Sequence, residues 1–102
     1  MTVMAELSIV PLGTSSTELS TFVSEALKVI KKAKEVKWQL TPMGTIIEAD
    51  SLDKLFSLVN EAHESLFKIG AKRVSTLIKI DDRRDVSGER MKKKVDSVLT
   101  KI

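Results

Sequence analysis

The sequence predicts an α+β fold in which a four-stranded antiparallel sheet carries two helices on one face and is followed by a third helix. The first observation is that four short segments alternate apolar with polar residues, the pattern of strands that bury one face. The second is that three longer segments repeat apolar residues at helical spacing and interrupt the strands in the order β-α-β-β-α-β-α.

The first strand is predicted over residues 3–10 and ends at Pro11 and Gly13, two residue types that terminate strands. In the first helix, Ser15 with Glu18 fits a capping box, in which each side chain satisfies an amide of the first turn. Both elements have an apolar face, formed by Val3, Ala5, Leu7 and Ile9 in the strand and by Leu19, Phe22, Val23, Ala26, Leu27, Ile30 and Ala33 in the helix.

Residues 35–41 and 45–49 are predicted to form the second and third strands. Residues 42–44 (Pro-Met-Gly) make a connection short enough for an antiparallel hairpin. In the third strand, Glu48 is expected to avoid the helix-covered core, because burying a lone charge is costly. Glu48 and Ile46 are therefore predicted to lie on the open face of the sheet.

The second helix is predicted to begin at Asp50 or Ser51, which are N-cap residue types, and to end before Gly70, which fits a left-handed position. The fourth strand is predicted over residues 73–80, and the charged segment 81–85 (Asp-Asp-Arg-Arg-Asp) is expected to leave the core. A last helix is predicted, with Ser87 as its N-cap. Its apolar stripe is formed by Met91, Val95, Val98, Leu99 and Ile102.

This order of elements joins two β-α-β halves by a hairpin. Right-handed crossovers and sequential pairing then favour the ferredoxin-like arrangement, with residues 1–102 as one domain. The two main helices cover one face of the sheet and leave the other face open. Its mixed character suits an oligomer interface that encloses a small polar ligand, unless the third helix covers it. Its predicted members are Met4, Glu6, Ser8, Val10, Ile46, Glu48, Arg73, Ser75, Leu77 and Lys79.

Composition excludes several classes of protein. The 102 residues contain 17 Lys and Arg against 14 Asp and Glu, and a net charge of +3 does not give the basic stripe of a nucleic-acid binder. There is no cysteine and one histidine, which excludes disulfides, thiolate metal sites and histidine-rich metal sites within one chain. No apolar run approaches the ~20 residues of a membrane span, and the amino terminus lacks a signal-peptide pattern, so a cytoplasmic protein is expected.

Several segments carry a family resemblance, and the Pro-Met-Gly-Thr and Ile-Asp-Asp-Arg-Arg-Asp segments among them are specific in combination. They are residues 11–14 (Pro-Leu-Gly-Thr), residues 40–48 (Leu-Thr-Pro-Met-Gly-Thr-Ile-Ile-Glu), His63-Glu64, Arg73-Val74 and residues 78–85 (Ile-Lys-Ile-Asp-Asp-Arg-Arg-Asp). Together they resemble the small thiamine-binding protein family of archaea, bacteria and fungi, over nearly the whole chain. The resemblance implies a ferredoxin-like fold, homodimers that assemble into homotetramers, and binding of thiamine or a related pyrimidine, with no enzymatic reaction firmly attached.

Glu48 is the first candidate for contact with such a ligand. Thiamine carries a cationic thiazolium ring and an aminopyrimidine, and a carboxylate can accept from the amino group or offset the charge. The alternative is a structural ion pair with Arg73 or Lys79 across the sheet. Trp38 stands where the family usually has tyrosine, and it either stacks on a flat heterocycle or packs in the core or an interface.

The hairpin residues also have two interpretations each. Gly44 either supplies a positive φ angle for the turn or allows close approach to a ligand, with Thr45 beside it. Met43 is either a flexible apolar wall of the site or plain packing. His63, on the apolar stripe of the second helix, is interpreted as a half-buried structural residue. The segment 81–85 is interpreted as forming salt bridges between subunits, and a magnesium site is disfavoured because the arginines compete for its carboxylates.

These patterns lead to the hypothesis of a non-catalytic protein that binds thiamine or a related pyrimidine at subunit interfaces of a homo-oligomer. Two alternatives stay open: a sensor oligomer for another small metabolite, and an enzyme of thiamine or pyrimidine salvage. No catalytic residue, metal or cofactor is predicted, and thiamine itself is the expected ligand. The predicted ligand-binding residues are Ser8, Trp38, Met43, Gly44, Thr45, Ile46, Glu48 and Arg73.

Overall fold

The computed structural model describes residues 2–14, 19–85, 88 and 90–102, and it confirms the predicted order of elements. The strands are β1 (Val3–Pro11), β2 (Lys37–Thr41), β3 (Gly44–Ala49) and β4 (Val74–Asp82). The helices are α1 (Ser20–Lys32), α2 (Leu52–Lys68) and α3 (Arg90–Leu99). The chain therefore has the ferredoxin-like α+β fold, followed by a carboxy-terminal helix.

The four strands form one antiparallel sheet in the order β2-β3-β1-β4. β1 pairs with β4 along its whole length, from Val3 opposite Asp82 to Pro11 opposite Val74. Its pairing with β3 ends earlier, at Leu7 opposite Thr45. Residues 8–11 of β1 therefore lie beyond the last residue paired with β3, and no strand in the described part of the chain pairs with them on that side.

α1 and α2 cover one face of the sheet. The alternation predicted for β1 is confirmed, because its alternate residues Val3, Ala5, Leu7 and Ile9 are all buried on that face. Removing this apolar surface from water is the main force that holds the layers together. The same core receives Ile47 and Ala49 from β3, Ala26 and Ile30 from α1, and Leu55, Leu58, Val59, Ala62 and Leu66 from α2.

The ends of α2 follow the predicted signals. The Ser51 hydroxyl accepts a hydrogen bond from the Lys54 amide at 3.2 Å, which satisfies a first-turn amide. Beyond the other end, Gly70 has a φ angle of +109°, a conformation that favours glycine. The predicted capping box of Ser15 and Glu18 and the predicted Ser87 cap lie outside the described residues.

β4 begins one residue later than predicted and ends two residues later. The segment 81–85 is expected to leave the core, but its first two residues, Asp81 and Asp82, extend the strand opposite Met4 and Val3 and are half-buried. Guanidinium and ammonium groups compensate their charges within the chain, through Arg84 for Asp82 and through Arg90 and Lys94 for Asp81. Because these cations compensate the charges of the two carboxylates, the strand can continue through Asp81 and Asp82.

α3 attaches to the opposite side of the sheet from α1 and α2, mainly through polar contacts. Arg90 donates to the carbonyl oxygens of Asp81 at 2.7 Å and Thr2 at 3.1 Å. The apolar stripe predicted for this helix is left largely exposed at Val95, Val98, Leu99 and Ile102. Among the helices of the described ranges, none is long and apolar enough to cross a lipid bilayer.

Candidate functional site

The strand register divides the predicted site residues between the two faces of the sheet. Glu48 pairs with Met4 and Ile46 pairs with Glu6, so both lie on the face away from α1 and α2, as predicted. Trp38 and Thr45 lie on the helix-covered face, since their strand partners are Ile47 and Leu7. The eight predicted residues therefore do not form one continuous site.

Glu48 is fully buried, although it lies on the predicted open face. Its Oε1 accepts a hydrogen bond from the backbone amide of Met91, in the first turn of α3. A carboxylate is stabilised at a helix amino terminus by the free amides and the helix dipole. The other oxygen, Oε2, is buried without a hydrogen-bond partner among the described residues. The predicted ion pair with Arg73 or Lys79 is not among the salt bridges of this part of the chain.

A small cavity of about 160 Å³ lies between the sheet and α3, on the sheet face that carries Glu48. Its charged lining residues are Glu6, Lys79, Asp81 and Lys94, and the Lys94 ammonium already bonds to Asp81 at 2.9 Å. Ile46 contributes to the apolar part of the lining. Since typical ligand sites measure roughly 300–1,000 Å³, this space is too small for a whole thiamine molecule.

A larger cleft of about 280 Å³ lies between α1, β1 and the β2–β3 hairpin. Four of the predicted residues line it: Ser8, Met43, Gly44 and Thr45. Its walls are otherwise apolar apart from the Thr41 hydroxyl. They are formed by Leu7, Ile9, Val10, Val23, Ala26, Leu27, Ile30, Leu40 and Pro42.

The hairpin that borders this cleft is held by Thr41, a residue that is not among those predicted from the sequence. The Thr41 hydroxyl donates to the Gly44 carbonyl oxygen at 2.8 Å and accepts from the Met43 amide at 3.3 Å. Such hydroxyl-to-backbone bonds are typical of threonine in turns, and the Thr-Pro-Met-Gly sequence contains this signal. Thr41 thereby fixes the loop that carries Met43 at the mouth of the cleft.

Gly44 is required because of a close backbone approach, and not because of the expected positive φ angle. The described residues with a positive φ angle are Gly13, Gly70 and Gly88, so the positive φ predicted for Gly44 is wrong. A Cβ atom at Gly44 would instead lie 2.9 Å from the Leu7 carbonyl oxygen. Glycine is needed here because the hairpin approaches the backbone of β1 more closely than a side chain permits.

Where the pairing of β1 with β3 ends, one edge of β1 is left unpaired beside the cleft. Ser8, Ile9 and Val10 line the cleft directly after the last pair, Leu7 with Thr45. In an antiparallel strand, successive residues direct their amide and carbonyl groups to opposite sides. At least one of these three residues therefore directs its backbone N–H and C=O away from β4, to the side on which the pairing with β3 has ended.

Trp38 and Arg73 lie outside both cavities. Trp38 is 38% exposed on the edge strand β2, on the helix side of the sheet. Arg73 is exposed just before β4, and its carbonyl oxygen accepts from the Leu12 amide at 2.8 Å. Both stay predicted ligand residues that would need a second subunit to bring them to a ligand.

Two further sequence interpretations concern charged and titratable side chains. The His63 Nδ1 lies 2.6 Å from the Thr76 hydroxyl and its ring contacts Phe67, which fits the predicted structural role.

In the segment 81–85, Arg83 and Arg84 pair within the chain, with Asp85 at 2.7 Å and Asp82 at 2.8 Å. These arginines hold the pKa values of both carboxyl groups below their usual range. Within the described residues, no cluster of His, Asp or Glu has the arrangement of a metal site.

Comparison with known proteins places this fold and these segments in one family. The family described as thiamine-binding protein matches residues 5–99 of the chain. A UPF0045 protein of Methanothermobacter thermautotrophicus is 45% identical over 100 residues, which cover 98% of this chain and 99% of that protein. The UPF0045 protein YqgV of Bacillus subtilis is 38% identical over 98 residues, with 93% and 92% of the two chains covered.

Solved structures share the same fold. A hypothetical protein of Methanocaldococcus jannascii superposes with a TM-score of 0.83 at 34% identity, covering 94% of each chain. A Thermotoga maritima protein proposed to act in thiamine biosynthesis or salvage superposes with a TM-score of 0.77 at 21% identity, covering 96% of this chain and 99% of that one. Because the family match and the relatives extend over nearly all of the sequence, this chain belongs to the thiamine-binding protein family.

Proposed function

We propose that this protein binds thiamine or a related aminopyrimidine in the cleft between α1, β1 and the β2–β3 hairpin, and releases it unchanged. The observation that carries the proposal is the convergence of Ser8, Met43, Gly44 and Thr45 on this one cleft. The sequence predicts all four as ligand contacts although they come from two separate segments of the chain. Membership of the thiamine-binding family supports the ligand class.

The shape and polarity of the cleft suit a flat heterocycle. Its volume of about 280 Å³ is at the lower limit of ligand sites, so it accommodates one ring system more readily than a large cofactor. Apolar side chains from α1 and β1 form the walls that would contact the faces of the ring. The hydroxyl of Thr45 and the backbone edge of β1 at Ser8–Val10 offer the donors and acceptors that an aminopyrimidine edge needs.

We propose further that a second copy of the chain completes the site. Leu40 and Met43 at the rim of the cleft are 51% and 84% exposed, an unusual exposure for two apolar residues next to a cavity. They belong to β2 and its hairpin loop, at an edge of the sheet. A partner subunit at this edge would cover these side chains and close the cleft over the ligand.

Isothermal titration calorimetry with thiamine tests the proposal. We expect saturable binding, and we expect Thr45→Val to weaken it by about three- to tenfold, the equivalent of one neutral hydrogen bond. Thr21→Val is the matched control, because Thr21 is an exposed threonine of α1 outside the cleft. Recovery of unmodified thiamine after long incubation checks that no reaction occurs.

The proposal fails if millimolar thiamine produces no heat of binding. It also fails in its placement of the site if Thr45→Val binds as tightly as the control variant. A loss of binding in Glu48→Gln with no loss in Thr45→Val would move the ligand to the opposite face of the sheet.

A further inference from the structure

We infer that the outer edge of β4 pairs with β4 of a second copy of the chain, so that two four-stranded sheets join into one continuous antiparallel sheet. In the strand order β2-β3-β1-β4, this edge is opposite the one formed by β2, whose hairpin borders the cleft. The contact is therefore a second interaction surface, separate from the proposed ligand site. Three features support it: the regularity of the β4 edge, the exposed apolar side chains beside it, and the match between two copies of the strand.

The outer edge of β4 is long and regular. Its pairing with β1 continues without interruption over nine residues, from Val74 opposite Pro11 to Asp82 opposite Val3. No strand of the described ranges pairs with its other side, and its sequence contains neither glycine nor proline. Alternate residues of an antiparallel strand direct their amide and carbonyl groups to the outer side, so this edge offers a complete row of backbone donors and acceptors. Such a row is a template for another strand.

Apolar side chains of α2 and β4 lie exposed beside this edge. The 2.6 Å contact between His63 Nδ1 and the Thr76 hydroxyl shows which face of α2 adjoins β4. Phe56 precedes His63 by two helical turns and Phe67 follows it by one, so both lie on the same face. They are 48% and 40% exposed, and Ile80 on the helix-covered side of β4 is 37% exposed. These groups stay in contact with water because the sheet ends there, and a second sheet joined at β4 would cover them.

A second copy fits this edge through a two-fold axis perpendicular to the sheet. Such an axis makes the two β4 strands antiparallel and keeps the helices of both copies on one side of the joined sheet. One contact then satisfies the exposed edges of both copies. It also brings the apolar side chains beside one edge against those beside the other, so the same surface serves as donor and recipient.

The symmetry also fixes the register. Facing residues must direct their side chains to the same side of the sheet, so a residue that lies on the axis faces its own copy. The register that overlaps all nine residues puts Ile78 on the axis, opposite Ile78 of the partner subunit. Leu77 then faces Lys79 of the partner subunit, and Thr76 faces Ile80 of the partner subunit. No pair in this register sets two charged residues against each other, so the strand is complementary to itself.

Single cysteines test the contact, because the original chain contains none. Facing Cα atoms of antiparallel strands lie about 4.5–5.5 Å apart, within the range of a disulfide, so Ile78→Cys is expected to form covalent dimers under mild oxidation. Ile80→Cys is the matched control on the same face, since its two copies would lie about 13 Å apart along the strands. Ser24→Cys, on the exposed surface of α1, measures disulfides formed by chance collision.

Non-reducing electrophoresis measures the fraction of covalent dimer in each variant. A fraction for Ile78→Cys above those of both other variants supports the inference. A fraction no higher than that of Ser24→Cys overturns it, and preferential cross-linking of Ile80→Cys overturns the register.

A pair of charge variants tests the same register without a cysteine. Leu77 is 73% exposed, so its replacement should leave the fold intact. Leu77→Lys sets a lysine against Lys79 of the partner subunit, whereas Leu77→Glu sets a carboxylate against it. We expect the dimer Kd from sedimentation equilibrium at low salt to be at least about tenfold higher for Leu77→Lys than for Leu77→Glu, and the two values to converge at high salt.

Equal dimer Kd values for the two variants at low salt overturn the inference, as does a monomer for the original sequence at every concentration. Leu77 does not line the cleft, so thiamine binding by these variants is a separate measurement. Loss of the β4 contact and loss of the proposed ligand site are therefore distinguishable.

Discussion

At the scale of a single residue, Glu48 shows that a predicted ligand-binding side chain can have a structural role. The sequence predicts its side chain on the open sheet face because burial of a lone charge is unfavourable. The register confirms that face, yet the side chain is fully buried, because the first turn of α3 supplies an amide to its Oε1. Glu48 therefore links β3 to α3, a contact between residues 43 positions apart.

Removing this carboxylate should loosen α3. We expect Glu48→Ala to reduce the free energy of unfolding by about 2–4 kcal/mol, because it leaves a buried amide without its acceptor and creates a cavity. Urea unfolding measures the change, and hydrogen exchange at the Met91 amide should accelerate.

Glu6→Ala is the control for that prediction, since Glu6 lies on the same face of the sheet and is exposed. A change within about 0.5 kcal/mol is expected for it. An equally small change for Glu48→Ala would show that the contact with α3 contributes little.

At the scale of elements, the chain contrasts two ways of attaching a helix to the sheet. α2 buries a continuous apolar stripe, including Leu55, Leu58 and Leu66. α3 leaves Val95 and Val98 more than half exposed and is held by charged groups around Asp81. Attachment by charged groups depends on pH, whereas burial of an apolar stripe does not.

Acid should therefore release α3 before it unfolds the sheet. Hydrogen bonds from Lys94 and then Arg90 lower the pKa of the Asp81 carboxyl. A carboxyl group with a lowered pKa in the folded state stabilises that state above its unfolded pKa of about 3.9, and the contribution is lost as the pH falls through the folded value. We expect α3 amides to lose protection below about pH 4, as measured by hydrogen exchange between pH 7 and pH 3 with each rate divided by the intrinsic exchange rate at that pH.

Asp81→Asn should remove most of this pH dependence, so that the protection of its α3 amides relative to the intrinsic exchange rate is nearly alike at neutral and acid pH. Asp96→Asn, a substitution within α3 itself, should retain the dependence of the original sequence. If Asp81→Asn responds to acid as strongly as Asp96→Asn does, the ion pairs of Asp81 do not hold α3.

At the scale of the whole molecule, the described chain exposes both edges of its sheet and several apolar side chains. β2 and β4 are the outer strands, and Leu77 on β4 is 73% exposed. Long exposed edges tend to pair with another chain unless they are covered. This surface supports the proposal that the protein assembles with copies of itself.

The assembly should respond to a charge placed on this surface. We expect sedimentation velocity to show an oligomer for the original sequence and a smaller species for Leu77→Lys, since a buried lysine at an interface is unfavourable. Ser57→Lys introduces the same residue on the exposed surface of α2 and should leave the sedimentation unchanged. A monomer for the original sequence contradicts the proposed assembly.

The sequence by itself determined the order of elements, the core face of β1, the Ser51 cap and the segments that identify the family. Each of these depends on local periodicity or on short motifs, which are readable along the chain. The tertiary structure decided which predicted residues share a cleft, and it separated Trp38 and Glu48 onto opposite faces of the sheet. It also showed that Gly44 is needed for its approach to Leu7 and that Thr41 holds the hairpin. The physical reason is that these contacts join segments through strand register and helix placement, and local periodicity specifies neither of them.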